Sequence, residues 1–262
     1  MEADMETFPF FVSAIIPVYN GEAFLAEAVE TIRRQNYHPL EIIIVDDGST
    51  DNTKEVAASF GNEVRYAYQP NSGLPATRNR GLKMARGNVI AFLDVDDLWG
   101  KDKLKIQIPL LNERPFAEIV LGYTQILMLQ DIIYGKHIFK EWSDPVLAMS
   151  VCSAVLRRSV FDKVGLFDEA QRYCDDWDWF MRARELGVEM VLHKEVVHLY
   201  RRHDQNMTNQ QALGNHYFIR MLKKSLNRRR FQNDGVALPL PKLSELKEEP
   251  AGKCSADREL GD

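Results

Sequence analysis

"VIAFLDVDDLW", residues 89–99, begins as an unbroken apolar run and ends with three carboxylates in four positions, Asp94, Asp96 and Asp97. The run suits a strand covered on both faces by helices. Two like charges about 4 Å apart, at an effective dielectric near 20, repel by roughly 4 kcal/mol. A chain that gathers three of them at the end of a buried strand needs something there to offset the cost.

Other runs of the same kind precede it. Val12–Val18 is an apolar run broken only by Ser13, residues 42–45 are continuously apolar, and Val64–Tyr68 is a weaker strand. Helical stretches lie between them. Phe24, Leu25, Ala28, Val29 and Ile32 fall on one helical face, and "DGSTDNTKEVAASF" opens a second helix with Ser or Asp as N-cap. "GLPATRNRGLKMARG" predicts a third, with Pro75 in its first turn and Gly87 just past its end. Strands alternating with helices at this spacing imply an α/β fold with a mostly parallel central sheet.

Beyond the acidic cluster the periodicity is looser. "KDKLKIQIPLLNERP" predicts a helix, "EIVLGYTQILMLQ" with "IIYGKHIF" a hairpin, and residues 159–164 and 177–186 two further helices. One or two strands are expected over 189–203. A last helix is expected over 212–230, with Leu213, Tyr217, Met221 and Leu222 on its apolar side. The chain divides into a short extension (1–10), one domain (11–230) with halves 11–100 and 101–230, and a Pro- and charge-rich tail (231–262) expected to be disordered.

The 262 residues are 45% hydrophobic and 27% charged, enough for one sizeable core. A net charge of -5 gives no electrostatic case for nucleic-acid binding. The start is acidic and its apolar run short, so neither a signal peptide nor a membrane span is expected. Cys152, Cys174 and Cys254 are odd in number and widely spaced, which fits a cytoplasmic chain without a zinc motif. The sequon at Asn206 then carries no modification.

In an open parallel sheet, ligands bind beyond the carboxyl ends of the strands. "PVYNGE", "DDGSTD", "NSGLPATRNRG" and "DVDD" follow the first four strands in turn. They are expected to bring Tyr19, Asp46, Asp47, Arg78, Asp94, Asp96 and Asp97 to one rim. Neither a P-loop nor G-x-G-x-x-G is present. The rim offers hard oxygen donors instead, which suit Mg²⁺ or Mn²⁺ held together with a diphosphate. Asp47 then suits a base N–H or a ribose hydroxyl, and Arg78 suits the phosphates.

These stretches, with "LFDE" and "CDDWDWFMRARELG" further on, resemble the family 2 glycosyltransferases of GT-A fold, in the family's order from Val12 to about His203. The resemblance implies a nucleotide-sugar donor, most commonly a UDP-sugar, a divalent cation, and inversion at the anomeric carbon. Residue by residue, Pro17 and Tyr19 match the nucleotide pocket and Asp47 the acid that reads the base. Asp94 and Asp96 match the ends of the D-x-D motif, Asp96 as the stronger metal ligand and Asp94 nearer the ribose. Asp97 is left between a ligand and a supporting role. Asp176 matches the acceptor-side base, and Asp175 stands where the family usually has Glu. Tyr200, Arg201 and His203 match a Tyr-Arg-x-His segment, which implies Arg201 or Arg202 on the leaving group and His203 near the metal.

The family's processive members carry Q-x-x-R-W and membrane spans. Both are lacking here, which implies one transfer per encounter, to a glycan or lipid-linked acceptor in cell-surface glycan or polysaccharide synthesis. The basic run 223–230 allows at most peripheral membrane contact. Two other readings fit less well. A sugar-1-phosphate nucleotidyltransferase would want a Gly-rich signature where "PVYNGE" stands, and an inactive sugar-nucleotide-binding scaffold would have lost Asp96 or Asp176.

Overall fold

Successive residues of a strand face opposite sides of its sheet, and this alternation divides the core in two. In the computed structural model, which describes residues 10–231, 236–237, 239–240 and 247–249, Val12–Val18 is β1. Val12, Ala14, Ile16 and Val18 pack in one cluster with Leu25, Ala28, Val29 and Ile32, whereas Ile15 packs in the other with Phe92 and Leu82. Both faces are therefore covered, as the continuous apolar runs require.

The first half alternates as β1, α1 (Leu25–Arg33), β2 (Leu40–Asp46), α2 (Thr53–Ser59), β3 (Val64–Tyr68), α3 (Leu74–Met84) and β4 (Val89–Phe92). β5 (Leu98–Trp99), α4 (Lys103–Glu113), β6 (Ile119–Ile133), β7 (Lys136–Glu141), β8 (Ala154–Arg157) and α5 (Val160–Val164) follow. α6 (Asp175–Glu185), β9 (Met190–Arg202), α7 (Gln211–Phe231) and β10 (Lys247–Glu249) complete the described elements. The sheet order is β10-β9-β6-β8-β4-β1-β2-β3. Along it only β8 runs antiparallel to its neighbours, β4 and β6. β5 and β7 pair off this path with β9 and β6, and β6–β7 is the expected hairpin.

Pro17 sits in β1 without cost to the ladder. Pairing with β4 ends at Ile15↔Phe92, so the N–H that Pro17 lacks falls on a side where pairing has already stopped. On the other side of the same strand, α3 lies close. A Cβ added at Gly81 would stand 2.3 Å from Ile15 Cγ2. Gly81→Val is expected to cost about 1–3 kcal/mol through overpacking, measured as a lower urea midpoint. It should also displace Arg78, one turn earlier on α3; an unchanged midpoint would show that α3 can move away freely.

Three expectations meet a different arrangement. α6 begins at Asp175 instead of 177, so Asp175 and Asp176 occupy its first turn. On α7, Met221 is buried, but Leu213 and Leu222 are 44% and 38% exposed. The helix is held largely by polar contacts instead: Gln171 Nε2 to the Tyr217 carbonyl, Lys224 to Asp168 and Arg228 to Glu185. The tail expected over 231–262 lies mostly outside the described residues; within it, Lys247–Glu249 forms a parallel edge strand on β9.

Candidate active site

The loops after β1 and β2 are laced to each other. Asn20 N–H donates to Ser49 Oγ, Thr50 N–H to Asn20 Oδ1, Glu22 N–H to Asp51 Oδ2 and Gly21 N–H to Thr53 Oγ1. The N-cap of α2 is Asn52, not the expected Ser or Asp, and its side chain makes no cap bond; Asp51, one position earlier, accepts from Thr53 N–H through Oδ1. This lacing leaves Tyr19 at the rim, 52% exposed, with Pro17 buried beneath it. Asp47 is buried and fixed. Its Oδ1 accepts from Gln69 Nε2 and Ser72 N–H, and its Oδ2 from Gly73 N–H, each at 2.8 Å. Gly73 delivers that N–H from a left-handed backbone, φ 92°.

Asp46 does not join the rim. It is a buried residue of β2 that accepts from Tyr66 Oη and Ser49 N–H. Asp97 is also drawn behind the rim. Its Oδ2 lies 2.9 Å from His198 Nε2 and its Oδ1 accepts from Arg201 N–H. Burial raises Asp97 to a pKa of about 6 despite His198. Cys152 Sγ shares this cluster, with one ligand atom each from Asp97, Cys152 and His198 within 4.8 Å of one another. All three are buried, and burial holds the Cys152 thiol well above its ordinary range, so it stays protonated.

Asp94 and Asp96 remain at the surface, their side chains 30% and 26% exposed. Asp94 accepts from Arg78 Nη2 at 2.7 and 3.0 Å. Arg78 is only 2% exposed, and its Nη1 reaches Asp175 Oδ2 at 2.5 Å. Arg78 thus bridges the β4 acids to the start of α6, instead of standing free toward a phosphate. Asp96 Oδ2 lies 3.2 Å from His203 Nε2 and accepts from Asn206 Nδ2 at 3.0 Å. Asn206 Oδ1 in turn accepts from His203 N–H, and the His203 ring stacks on Phe24.

Arg201 is buried as well. It donates to the Asp96 carbonyl and to Glu27, between the rings of Phe24 and Phe139 at 5.0 and 5.3 Å. Its guanidinium therefore supports the acidic loop from behind. Arg202 is exposed, and Tyr200 Oη pairs with Thr208 Oγ1 at 2.8 Å.

Across the bridge, Asp175 is buried; burial raises its pKa while the Arg78 charge opposes the rise. Asp176 beside it is part-exposed. Desolvation, then the Asp175 charge, raise Asp176 to about 7. That is a carboxylate poised to take a proton near neutral pH. A cleft of about 760 Å³ opens beside His203, lined by Met128, Leu129, Asp131, Arg202 and Asn209 among others. The residues that spacing alone did not single out are Asn206, Glu27 and His198. Asn206 carried a signal of a kind, since its sequon marks a small polar turn.

Residues 13–165 match the family described as glycosyl transferase family 2. An uncharacterised glycosyltransferase of Rickettsia typhi is 33% identical over 216 residues, covering 78% of this chain and 67% of the relative. Three further Rickettsia glycosyltransferases, 30–32% identical, are covered over only 31–34% of their own length. Among solved structures, Staphylococcus aureus TarS 1–349 in complex with UDP-GlcNAc superposes with a TM-score of 0.62 at 20% identity, over 84% of this chain and 72% of that one. The mannosyltransferase PcManGT of Pyrobaculum calidifontis, in complex with GDP-Man and Mn²⁺, gives 0.63 at 19% identity, over 89% and 67%. At such identities these structures establish a shared GT-A fold.

Proposed function

This chain belongs to glycosyl transferase family 2 and is a glycosyltransferase, and from that premise we propose an inverting, metal-dependent transfer from a nucleotide sugar to an acceptor hydroxyl. A UDP-sugar is the first donor to test. The acceptor class we assign is a glycan or lipid-linked glycan of the cell surface, glycosylated once per encounter. The observation that carries this reading is the Arg78 bridge, which ties Asp94 on the donor side to Asp175 and the neighbouring Asp176 on the acceptor side.

By donor chemistry the set suits a divalent cation, although the ligand atoms of Asp94, Asp96 and His203 are not all within 4.8 Å of one another. Asp94 and Asp96 offer part-exposed carboxylate oxygens and His203 a ring nitrogen, which suits Mn²⁺ or Mg²⁺. Because Arg78 already neutralises Asp94, Asp96 is the stronger ligand of the pair. When bound with the donor, the cation supplies Lewis-acid stabilisation of the departing diphosphate.

The chain's own residues do the rest. Pro17 and Tyr19 line the nucleotide, and Asp47, held by three donors, accepts a base N–H. Arg201 keeps the Asp96 loop in place through its main-chain carbonyl. Asp176 takes the proton of the acceptor hydroxyl as that oxygen forms its bond to the anomeric carbon. The bond from that carbon to the diphosphate oxygen breaks on the opposite face, so the configuration inverts and the electron pair leaves on the nucleoside diphosphate.

Asn206 orients both Asp96 and His203. Removing such a supporting partner typically costs 10–100-fold in metal affinity. Asn206→Ala is therefore expected to raise the Mn²⁺ concentration for half-saturation by about that factor, read from free Mn²⁺ by electron paramagnetic resonance. Equal affinity would remove Asn206 from the site. The reading as a whole is tested by nucleoside diphosphate release from a panel of nucleotide sugars with Mn²⁺. One donor should be hydrolysed slowly and EDTA should stop the release; undiminished release in EDTA contradicts the metal role.

A further inference from the structure

α7 carries no acidic residue in 21 positions, on a chain whose net charge is -5. Two of its cations are used inward, Lys224 on Asp168 and Arg228 on Glu185. Part of its exposed surface is an apolar stripe. At 3.6 residues per turn, Phe218, Ile219, Leu222 and Leu226 share one face, and Lys223 and Arg230 flank it. The four are 36%, 65%, 38% and 39% exposed, and both flanking cations are exposed. Trp177 of α6, 48% exposed, continues the surface, its ring edge-on to Phe218 at 5.8 Å.

Single exposed apolar residues need no explanation, but a contiguous stripe with a cationic border does. An apolar stripe, an aromatic at its edge and a basic flank are features shared with helices that lie in a lipid–water interface. We propose that this face of α7, with Trp177, docks on an anionic lipid surface. Charge separates this occupant from a second copy of the chain. A two-fold contact through the same face would bring Lys223 and Arg230 against their own equivalents, whereas anionic headgroups neutralise them.

Docking would set the first turn of α6 toward the lipid, because Trp177 directly follows Asp176. An acceptor hydroxyl carried on a lipid would then reach Asp176 without leaving the membrane. That consequence rests on the role proposed for Asp176; the docking itself does not. No helix among the described residues is long and apolar enough to cross a membrane, so contact through α7 is peripheral.

Flotation of the full chain tests the proposal. Vesicles of equal phosphatidylglycerol and phosphatidylcholine should carry the protein at low salt and release it at high salt, and pure phosphatidylcholine should not carry it. Near an anionic surface each cation is worth about fivefold in partition, so Lys223→Gln with Arg230→Gln should weaken flotation about 25-fold. Ile219→Glu with Leu222→Glu should lower it at least tenfold. The charge pair is a surface change that leaves the fold intact, so the test stands even where the apolar pair unfolds the protein. Equal flotation on both vesicles, or flotation unchanged in the charge pair, overturns the proposal. So does a wild type that fails to float but forms a dimer which the apolar pair dissociates, because the face would then belong to a second copy.

Discussion

Asp176→Asn is expected to slow sugar transfer by about 10²- to 10⁴-fold, the range that a positioned general base contributes, while nucleotide binding stays at the wild-type level. The substitution keeps side-chain size and an oxygen that can accept from Trp177 N–H, as Asp176 Oδ1 does now. It removes only the capacity to take a proton. Among the described residues, Asp176 accepts no hydrogen bond from the donor side, its Oδ1 taking Trp177 N–H, and it feels Asp94 and Arg78 only through charge, so donor affinity is expected to change far less than transfer. The pH profile supplies a second readout. The base works when deprotonated, and desolvation has raised Asp176 to about 7. Transfer should therefore fall as pH drops through about 7, not through the ordinary carboxylate range near 4. In the Asn variant the residual rate should lose that limb. Wild-type transfer by Asp176→Asn would remove the residue from the mechanism.

Asp96→Ala is expected to fail earlier, at binding. It deletes the carboxylate on which His203 and Asn206 converge. Loss of supporting partners alone costs 10–100-fold in metal affinity, and loss of the ligand itself should exceed that. Cation-dependent nucleotide binding should weaken by at least about 100-fold, measured by titration calorimetry with and without Mn²⁺. The Asp96 carbonyl still accepts from Arg201, because that contact is to the main chain. The fold should therefore survive, and an unchanged melting temperature would separate lost binding from unfolding. Wild-type Mn²⁺ and nucleotide affinity in Asp96→Ala would remove the residue from the cation site.

How much of this could be read from the sequence depends on how local each feature is. β1, β2 and β4 declare themselves because strands buried on both faces are almost wholly apolar, Ser13, Glu41 and Asp46 being the polar positions among them. Asp94 and Asp96 follow, since they sit where such a run ends. The Arg78–Asp175 bridge has no such signature, its members being 97 positions apart. Only the sheet order brings α3 and α6 together. Arg201 misled for a related reason. Arginines beside aromatic rings in sequence are ordinary, but the rings that enclose this one come from Phe24, before α1, and Phe139, on β7. Its burial depends on three separate segments. Asp46 and Asp97 were placed on the rim with their neighbours, although Asp46 ends β2 bonded to Tyr66 Oη, and Asp97 closes a turn in which its N–H donates to the Asp94 carbonyl and its side chain meets His198. α7 reads as amphipathic in either direction, and only its packing partners reveal which side is covered.

The central claim is a division of labour, with Asp96 holding the leaving group's cation and Asp176 preparing the attack. One calorimetric titration tests it most directly: a nucleoside diphosphate into wild type, Asp96→Ala and Asp176→Asn, each in Mn²⁺ and in EDTA. The account predicts tight, Mn²⁺-dependent binding to wild type and to Asp176→Asn, and binding at least about 100-fold weaker to Asp96→Ala. Binding to wild type that is equally strong in EDTA, or binding lost in Asp176→Asn and kept in Asp96→Ala, would contradict it.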